Sequence, residues 1–345
     1  MKIVIAPDSY KGCLPAREVA AAMAAGVRAA RPDAEIVTLP LADGGEGTLE
    51  ILTDALGGSI REATVSDPLG RRIRAKYGTA GDLAVIEVAR ACGLGLLSPA
   101  ERNPLTATTR GVGELVLAAF RDGCRRFLVG LGGSATCDGG AGMLAVPGIR
   151  EALREAAFEL LCDVRAPFIG PDGAARVFAP QKGASPADVE LLERRMTELA
   201  GLFARETGTD VSDLPGAGAA GGLGGALMAF AGAAMTSGVD KIIDLVGFDQ
   251  AIQNADWILT GEGRSDAQTL LGKVPYGVLR RSGGIPVALV SGAIADADAL
   301  RKAGFAALIP VSPADLPLQE ALRPEVATAN IKAAVGRRFA GQAGE

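Results

Sequence analysis

The sequence has no histidine in 345 residues, which removes imidazole general bases, Ser-His-Asp and Cys-His nucleophiles and histidine metal sites together. Any catalysis must run on carboxylates, lysine, arginine, hydroxyls, backbone dipoles or a bound metal. Aromatic residues make up only 4%, and the formal net charge is −5 with both signs interspersed. There is little surface for base stacking and no positive stripe for a phosphate backbone, so no nucleic-acid partner is expected. The five cysteines, Cys13, Cys92, Cys124, Cys137 and Cys162, are odd in number and form no C-x-x-C pair. Neither a disulfide framework nor a structural zinc site follows, and a reducing cytoplasm is the expected setting. Only four apolar residues stand between Lys2 and Pro7, too few for the core of a signal peptide. Leu214 to Gly238 runs 25 residues without a charge, but its first half holds six glycines. Those contribute almost no transfer energy to a bilayer, so a packed segment is expected in place of a membrane span.

What is present is alanine, glycine and aliphatic residues: 48% of the chain is hydrophobic, with 47 glycines. That composition suits an α/β enzyme, and the length exceeds what one core usually serves, so two domains are expected. KIVIAP, a helical pattern from Pro15 to Ala30, and EIVTLPLA form a βαβ opening. Three late apolar runs, Ala255 to Thr260, Ile285 to Val290 and Phe305 to Pro310, alternate with helical patterns. Together these predict a doubly wound, five-stranded parallel sheet built from both chain ends, residues 1–65 and 255–345. The middle, 66–254, differs: an Asp-Pro-Leu-Gly turn between short strands, the strand FLVGL and a Gly/Ala-rich stretch predict an inserted mixed α/β domain.

Three strand ends run into loops that combine glycine with acid or hydroxyl: LADGGEGT at 41–48, GLGGSATCDGGAG at 130–142 and LTGEGRSD at 259–266. Glycines let backbone N–H groups converge on an anion, and a following helix N-terminus adds positive potential. Acid in such a loop would repel phosphate unless a cation lies between them. Asp43, Glu46, Asp138, Glu262 and Asp266 therefore make sense together if Mg²⁺ bridges carboxylates and phosphate oxygens; taken singly, each could equally cap a helix or a turn. Lysine is scarce, eight against 27 arginines, yet Lys11, Lys182 and Lys273 stand in loop contexts, where an ammonium could neutralise a transferring phosphoryl group or simply be solvated. Asp8 ends the first strand and is a candidate base, metal ligand or cap. GAGAAG at 216–221 spells G-x-G-x-x-G but follows no strand, so a close-packed or phosphate-near loop is expected and a dinucleotide site is the lesser alternative.

APDSYKG at 6–12, PLADGGEGT at 40–48, RNPL at 102–105, GGSATCDGGAGM at 132–143, CDV at 162–164, GPDGAARVFAPQKGA at 170–184, DLPGAGAAGGLG at 213–224 and TGEGRSDAQTLLGK at 260–273 resemble the successive signatures of the bacterial type I glycerate kinases, in that family's order. The resemblance implies a flavodoxin-like domain with an inserted domain, a cleft between them, and transfer of the ATP γ-phosphoryl to D-glycerate with Mg²⁺. The product it implies is 2-phosphoglycerate; 3-phosphoglycerate and a non-catalytic small-molecule-binding relative are the alternatives, and a homodimer is left open. It implicates Asp8, Ser9, Lys11, Asp43, Gly44, Gly45, Glu46, Gly132, Gly133, Ser134, Thr136, Asp138, Asp163, Gln181, Lys182, Glu262 and Asp266. Within that set we expect Asp8 or Asp43 to orient the substrate hydroxyl and Lys11 and Lys182 to stabilise transferring charge. The 132–136 loop is expected to hold phosphates, Asp163 and Glu262 to hold the metal, and Asp266 to take part in catalysis. Two departures stand out: Cys137 replaces the family's usual Asn, and Met143 and Cys162 are only 19 positions apart, where the family has a much longer span.

Overall fold

The computed structural model describes residues 1–313 and 315–341. Its contacts divide the chain into two units, residues 1–43 together with those from 239 onward, and residues 44–238. Strands are numbered in chain order. The first unit holds β1 (Lys2–Ile5), β2 (Glu35–Thr38), β9 (Trp257–Ser265), β10 (Val287–Ile294) and β11 (Ala307–Pro310). All pair in parallel, in the order β11-β10-β9-β1-β2. Taken in sequence within the unit this is the 2-1-3-4-5 winding of flavodoxin-like sheets, with the reversal of direction between β1 and β9. The central strands β1, β9 and β10 carry unbroken apolar runs because both their faces are covered. Ile3 and Ile5 join a core with Val19, Met23, Val27, Ile331 and Val335, while Val4, equally buried, points to the opposite face by the period-two alternation of a strand. Helices Ala16–Ala30 and Pro324–Ala340 cross closely enough that a Cβ on Gly26 would lie 2.6 Å from the Lys332 carbonyl oxygen.

The second unit has a six-stranded mixed sheet: β3 (Ser59–Ser66), β4 (Arg72–Ala80), β5 (Leu83–Glu87), β6 (Arg126–Gly130), β7 (Ala157–Leu161) and β8 (Ala234–Thr236). β3, β4 and β5 are antiparallel, and β5 to β8 run parallel. The predicted Asp-Pro-Leu-Gly turn joins β3 to β4, where Asp67 Oδ1 accepts from the Leu69 and Arg71 amides at 2.8 and 2.9 Å. The unit's joins lie upstream of the positions read from composition, 65/66 and 254/255, for two reasons. β3 pairs along its length with β4, which brings residues 44–65 with it, and Val239 packs on Gly277 while Asp240 and Asp244 pair with Arg280 and Arg281.

The short stretch after Met143 still completes the crossover from β6 to β7. Helix Ile149–Glu155 buries Ile149, Ala152 and Leu153, and all five residues of β6 stay in register with β7. The uncharged run from Leu214 folds as turns, one helix, Leu223–Ala231, and strand β8, and among the described residues no helix is long and apolar enough to cross a membrane.

Candidate active site

In the first unit the carboxyl ends of β1 and β9 flank the switch in strand order, the place where open α/β sheets leave a crevice. The Asp8 amide donates to the Gly261 carbonyl at 2.9 Å, so Asp8 and Glu262 are carried on adjacent strand ends. The Asp8 carboxyl is 3% exposed. Burial first, then the neighbouring Asp43, raise its pKa from the ordinary 3.8 to about 7, against the pull of Lys11 and the Ser9 amide. Lys11 Nζ donates to Asp43 Oδ2 at 3.1 Å. Burial works against the Lys11 charge, but Asp43 and Asp8 outweigh it and its pKa is raised. Glu262 is also buried: Ser265 Oγ and Thr269 Oγ1 donate to its Oε1 at 3.1 and 2.6 Å, and Lys273 Nζ donates to its Oε2 at 3.1 Å. Asp266 turns its carboxylate to the Gln268 amide, 2.9 Å away, as the cap of the short helix Ala267–Leu271. The Ser9 hydroxyl is enclosed and has no hydrogen-bond partner.

In the second unit the carboxyl ends of β5, β6 and β7 carry Glu87, the glycine loop and Asp163 in turn. The reasons for glycine here are mainly steric. A Cβ on Gly132 would stand 2.6 Å from Gly45 Cα, and one on Gly130 would stand 2.5 Å from the Gly44 carbonyl oxygen. The 44–47 and 130–133 loops thus lie backbone against backbone, joined by the Gly132 amide donating to Gly44 at 3.2 Å. Lys182 is buried against the same loop, donating to Ser134 Oγ at 2.9 Å and the Thr136 carbonyl at 2.7 Å, and burial lowers its pKa. Asp138 accepts from the Thr109 amide and hydroxyl and from the Gly140 and Gly142 amides, at 2.8 to 3.1 Å. With both oxygens so engaged it clamps the starts of two helices, which answers the capping alternative in its sequence reading. Glu46, Asp163 and Gln181 are exposed.

GAGAAG supports this loop from below. Gly221 meets the Thr136 carbonyl at a distance no Cβ would permit, and its own carbonyl accepts from the Gly139 amide at 3.0 Å. Its role is close packing, and no strand precedes it as a dinucleotide motif requires. Cys137 is buried with its Sγ 3.8 Å from Met196 Sδ, and burial pushes its thiol up to about 11. It serves as a small apolar filler, unreactive at neutral pH.

Sequence reasoning missed Glu87 and Arg90. Glu87 is 2% exposed, accepts from the Leu49 amide at 3.3 Å and has Arg90 Nε 3.3 Å away. Burial raises its pKa to about 7 despite Arg90. Arg90 in turn donates to both oxygens of Glu50, so the pair secures the helix that starts after the 44–47 loop. The signal was an acid as the last residue of an otherwise apolar strand, LAVIE.

Comparison with known proteins agrees with this arrangement over nearly the whole chain. The model of the glycerate kinase family matches residues 3–151 and 145–340, two segments that meet inside the short connection after Met143. A glycerate kinase of Bacillus subtilis is 41% identical, with 93% of each chain covered. A protein named glycerate 2-kinase from Escherichia coli K12 is 40% identical over 99% of this chain and all of its own length. The crystal structure assigned to a glycerate kinase 2 from Salmonella typhimurium LT2 superposes with a TM-score of 0.84 at 40% identity, covering 99% of this chain and 98% of that one. Sequence, winding order and loop arrangement lead to one conclusion: this chain belongs to the glycerate kinase family.

Proposed function

We propose that the chain transfers the γ-phosphoryl group of ATP to the 2-hydroxyl of D-glycerate, giving 2-phosphoglycerate and ADP. The observation that carries the chemistry is Asp8, a buried carboxyl whose pKa of about 7 suits a group that must take a proton at neutral pH. Asp8 accepts the proton of the attacking hydroxyl as the new O–P bond forms and the bond from Pγ to the β-phosphate oxygen breaks. Lys11, beside Asp43, and Lys273, beside Glu262, supply positive charge to the phosphoryl oxygens; in the second unit the glycine loops, with Lys182 holding Ser134 and Thr136, offer backbone donors to an anion. Phosphoryl transfer is mostly positioning and charge stabilisation, so the missing histidine costs nothing.

Mg²⁺ fits as an ion carried by the nucleotide. Among the described residues no group of three or more acids or cysteines forms a metal cage, and Mg²⁺ asks only for one or two carboxylates beside phosphate oxygens. Glu262, buried and already compensated by the Lys273 ammonium, marks a place that calls for positive charge. Glu262 is the residue of the first unit proposed to hold the ion, which would neutralise phosphate charge when bound; Asp163, the other expected ligand, is exposed in the second unit. The reading includes a cytoplasmic location, in keeping with five cysteines that are odd in number and widely spaced, and a homodimer as the state to compare with the 35.0 kDa of one chain.

The test is a coupled ADP-release assay with D-glycerate, L-glycerate and tartronate, with phosphorus NMR of the product. ADP formation dependent on D-glycerate, Mg²⁺ and ATP, with phosphate on C2, is expected. No turnover with any of the three acids sinks the proposal.

A further inference from the structure

The first unit contains a cavity of about 760 Å³ at the carboxyl ends of β1, β9, β10 and β11, and, because the strands lie in the order β11-β10-β9-β1, its lining from the β1–β9 side differs in character from that of the β10–β11 side. One end is polar and charged, with Asp8, Ser9, Lys11, Glu262, Arg264 and Lys273. The other is apolar, formed by Ile294, Val311, Leu316, Leu318, Leu322 and Ala327. Leu318 is 72% and Leu322 40% exposed, an unfavourable disposition for leucine in water unless something apolar covers it.

D-glycerate cannot be that something. All three of its carbons carry oxygen, and a molecule of its size would leave most of the cavity empty. A nucleotide matches both the size class of the cavity and its division: a flat purine with apolar faces for the leucine wall, and phosphates for the lysines at the opposite end. The Ser9 hydroxyl, 4% exposed, in the charged lining and without a partner, is a donor left for such a phosphate.

We propose that this cavity is the nucleotide subsite, with the adenine against Val311, Leu316, Leu318 and Leu322 and the phosphates toward Lys11 and Lys273. D-glycerate, which has no apolar face, then draws nothing from the leucine wall. The inference rests on the proposed ATP-dependent reaction for the identity of the nucleotide, and it assigns recognition of the purine to the leucine wall and of the phosphates to the lysines.

The test uses the full-length protein and the fluorescent nucleotide mant-ADP with Mg²⁺. In the double variant Leu318→Glu/Leu322→Glu, two exposed side chains are changed, so the fold should tolerate both. The expected result is a Kd for mant-ADP raised tenfold or more and a KM for ATP raised in step, with KM for D-glycerate and kcat at saturating ATP within twofold of wild type. Mant-ADP affinity unchanged in the variant, or a KM change that falls on glycerate, overturns the subsite. So does a variant that loses self-association while keeping its nucleotide affinity, because the leucines would then be covered by a second copy. A companion measurement needs no variant: photolabelling of the wild type with 8-azido-ATP should mark peptides between residues 294 and 327, and labelling confined to 44–238 overturns the proposal. Nucleotide binding weakened as expected, in a protein that phosphorylates none of the three acids, would leave the subsite standing and remove the glycerate reading.

Discussion

Asp8 links acidity, stability and rate in one side chain. Folding raises its pKa from 3.8 to about 7, so between those values the folded state holds more protons than the unfolded chain. Its contribution to stability is therefore greatest below about pH 4 and declines as pH rises toward 7, the reverse of the usual carboxylate. Activity runs the other way, since the base must be ionised. We predict that kcat/KM for D-glycerate falls tenfold per pH unit below about pH 7. Asp8→Asn should lower kcat by about 10²- to 10⁴-fold and flatten the decline of Tm between pH 4 and 7. Turnover by Asp8→Asn within threefold of wild type would remove Asp8 as the base. Lys182 makes a second case at this scale. Its ammonium donates to Ser134 and Thr136, so it orders the loop as well as charging it. Lys182→Met keeps the stem and removes both bonds. A fall of about 10²- to 10³-fold in kcat/KM is expected, the size of losing one preorganised donor; steady-state rates near wild type would show that the loop holds its shape unaided.

The glycine loops act as elements whose backbones touch. Gly132→Ala would push a methyl group to 2.6 Å from Gly45 Cα, with no side chain able to move aside. A cost of about 1–3 kcal/mol and a loss of more than tenfold in kcat/KM are expected, because the clash lies within the candidate site. Gly148→Ala is the control: its φ is +86° but nothing lies within 4 Å. About 1–2 kcal/mol of left-handed strain should appear in thermal melts with kcat unchanged. Equal losses of activity in the two variants would refute the steric account. The stretch from Met143 to Cys162 is short, yet it keeps β6 and β7 paired and buries the face of its own helix, so the missing length is not a missing strand between these two.

The two units have separate hydrophobic cores, and the sole tryptophan, Trp257, belongs to the first, packed edge-on to Phe339 with Arg338 over its ring. Intrinsic tryptophan fluorescence therefore reports the first unit, whereas circular dichroism reports both. We predict that the two signals give non-coincident unfolding transitions in urea, the mark of departure from two-state behaviour. A single shared midpoint and slope would show that the units unfold as one.

Much of the first unit was legible in the sequence because a strand buried on both faces must be a continuous apolar run, and KIVI, WILT, VALV and ALIP are such runs. Turn chemistry placed the β3–β4 hairpin, and the absence of histidine narrowed the chemistry to carboxylates and cations before any fold was known. The glycine-acid loops were visible as a pattern, but their roles were not. Whether an acid caps or catalyses depends on which donors reach it: four surround Asp138, while Asp8 accepts from the Ser9 amide and lies near Asp43 and Glu262, which outweigh Lys11 once burial is added. Lys182 is fully buried and Lys11 only partly, although both stand beside glycine in loops, because exposure is set by what packs over the side chain. Local sequence determined the strands, the turns and the inventory of reactive groups; only the tertiary structure decided which groups are desolvated, which are neutralised and which glycines hold two loops together, since those properties arise between residues far apart in the chain.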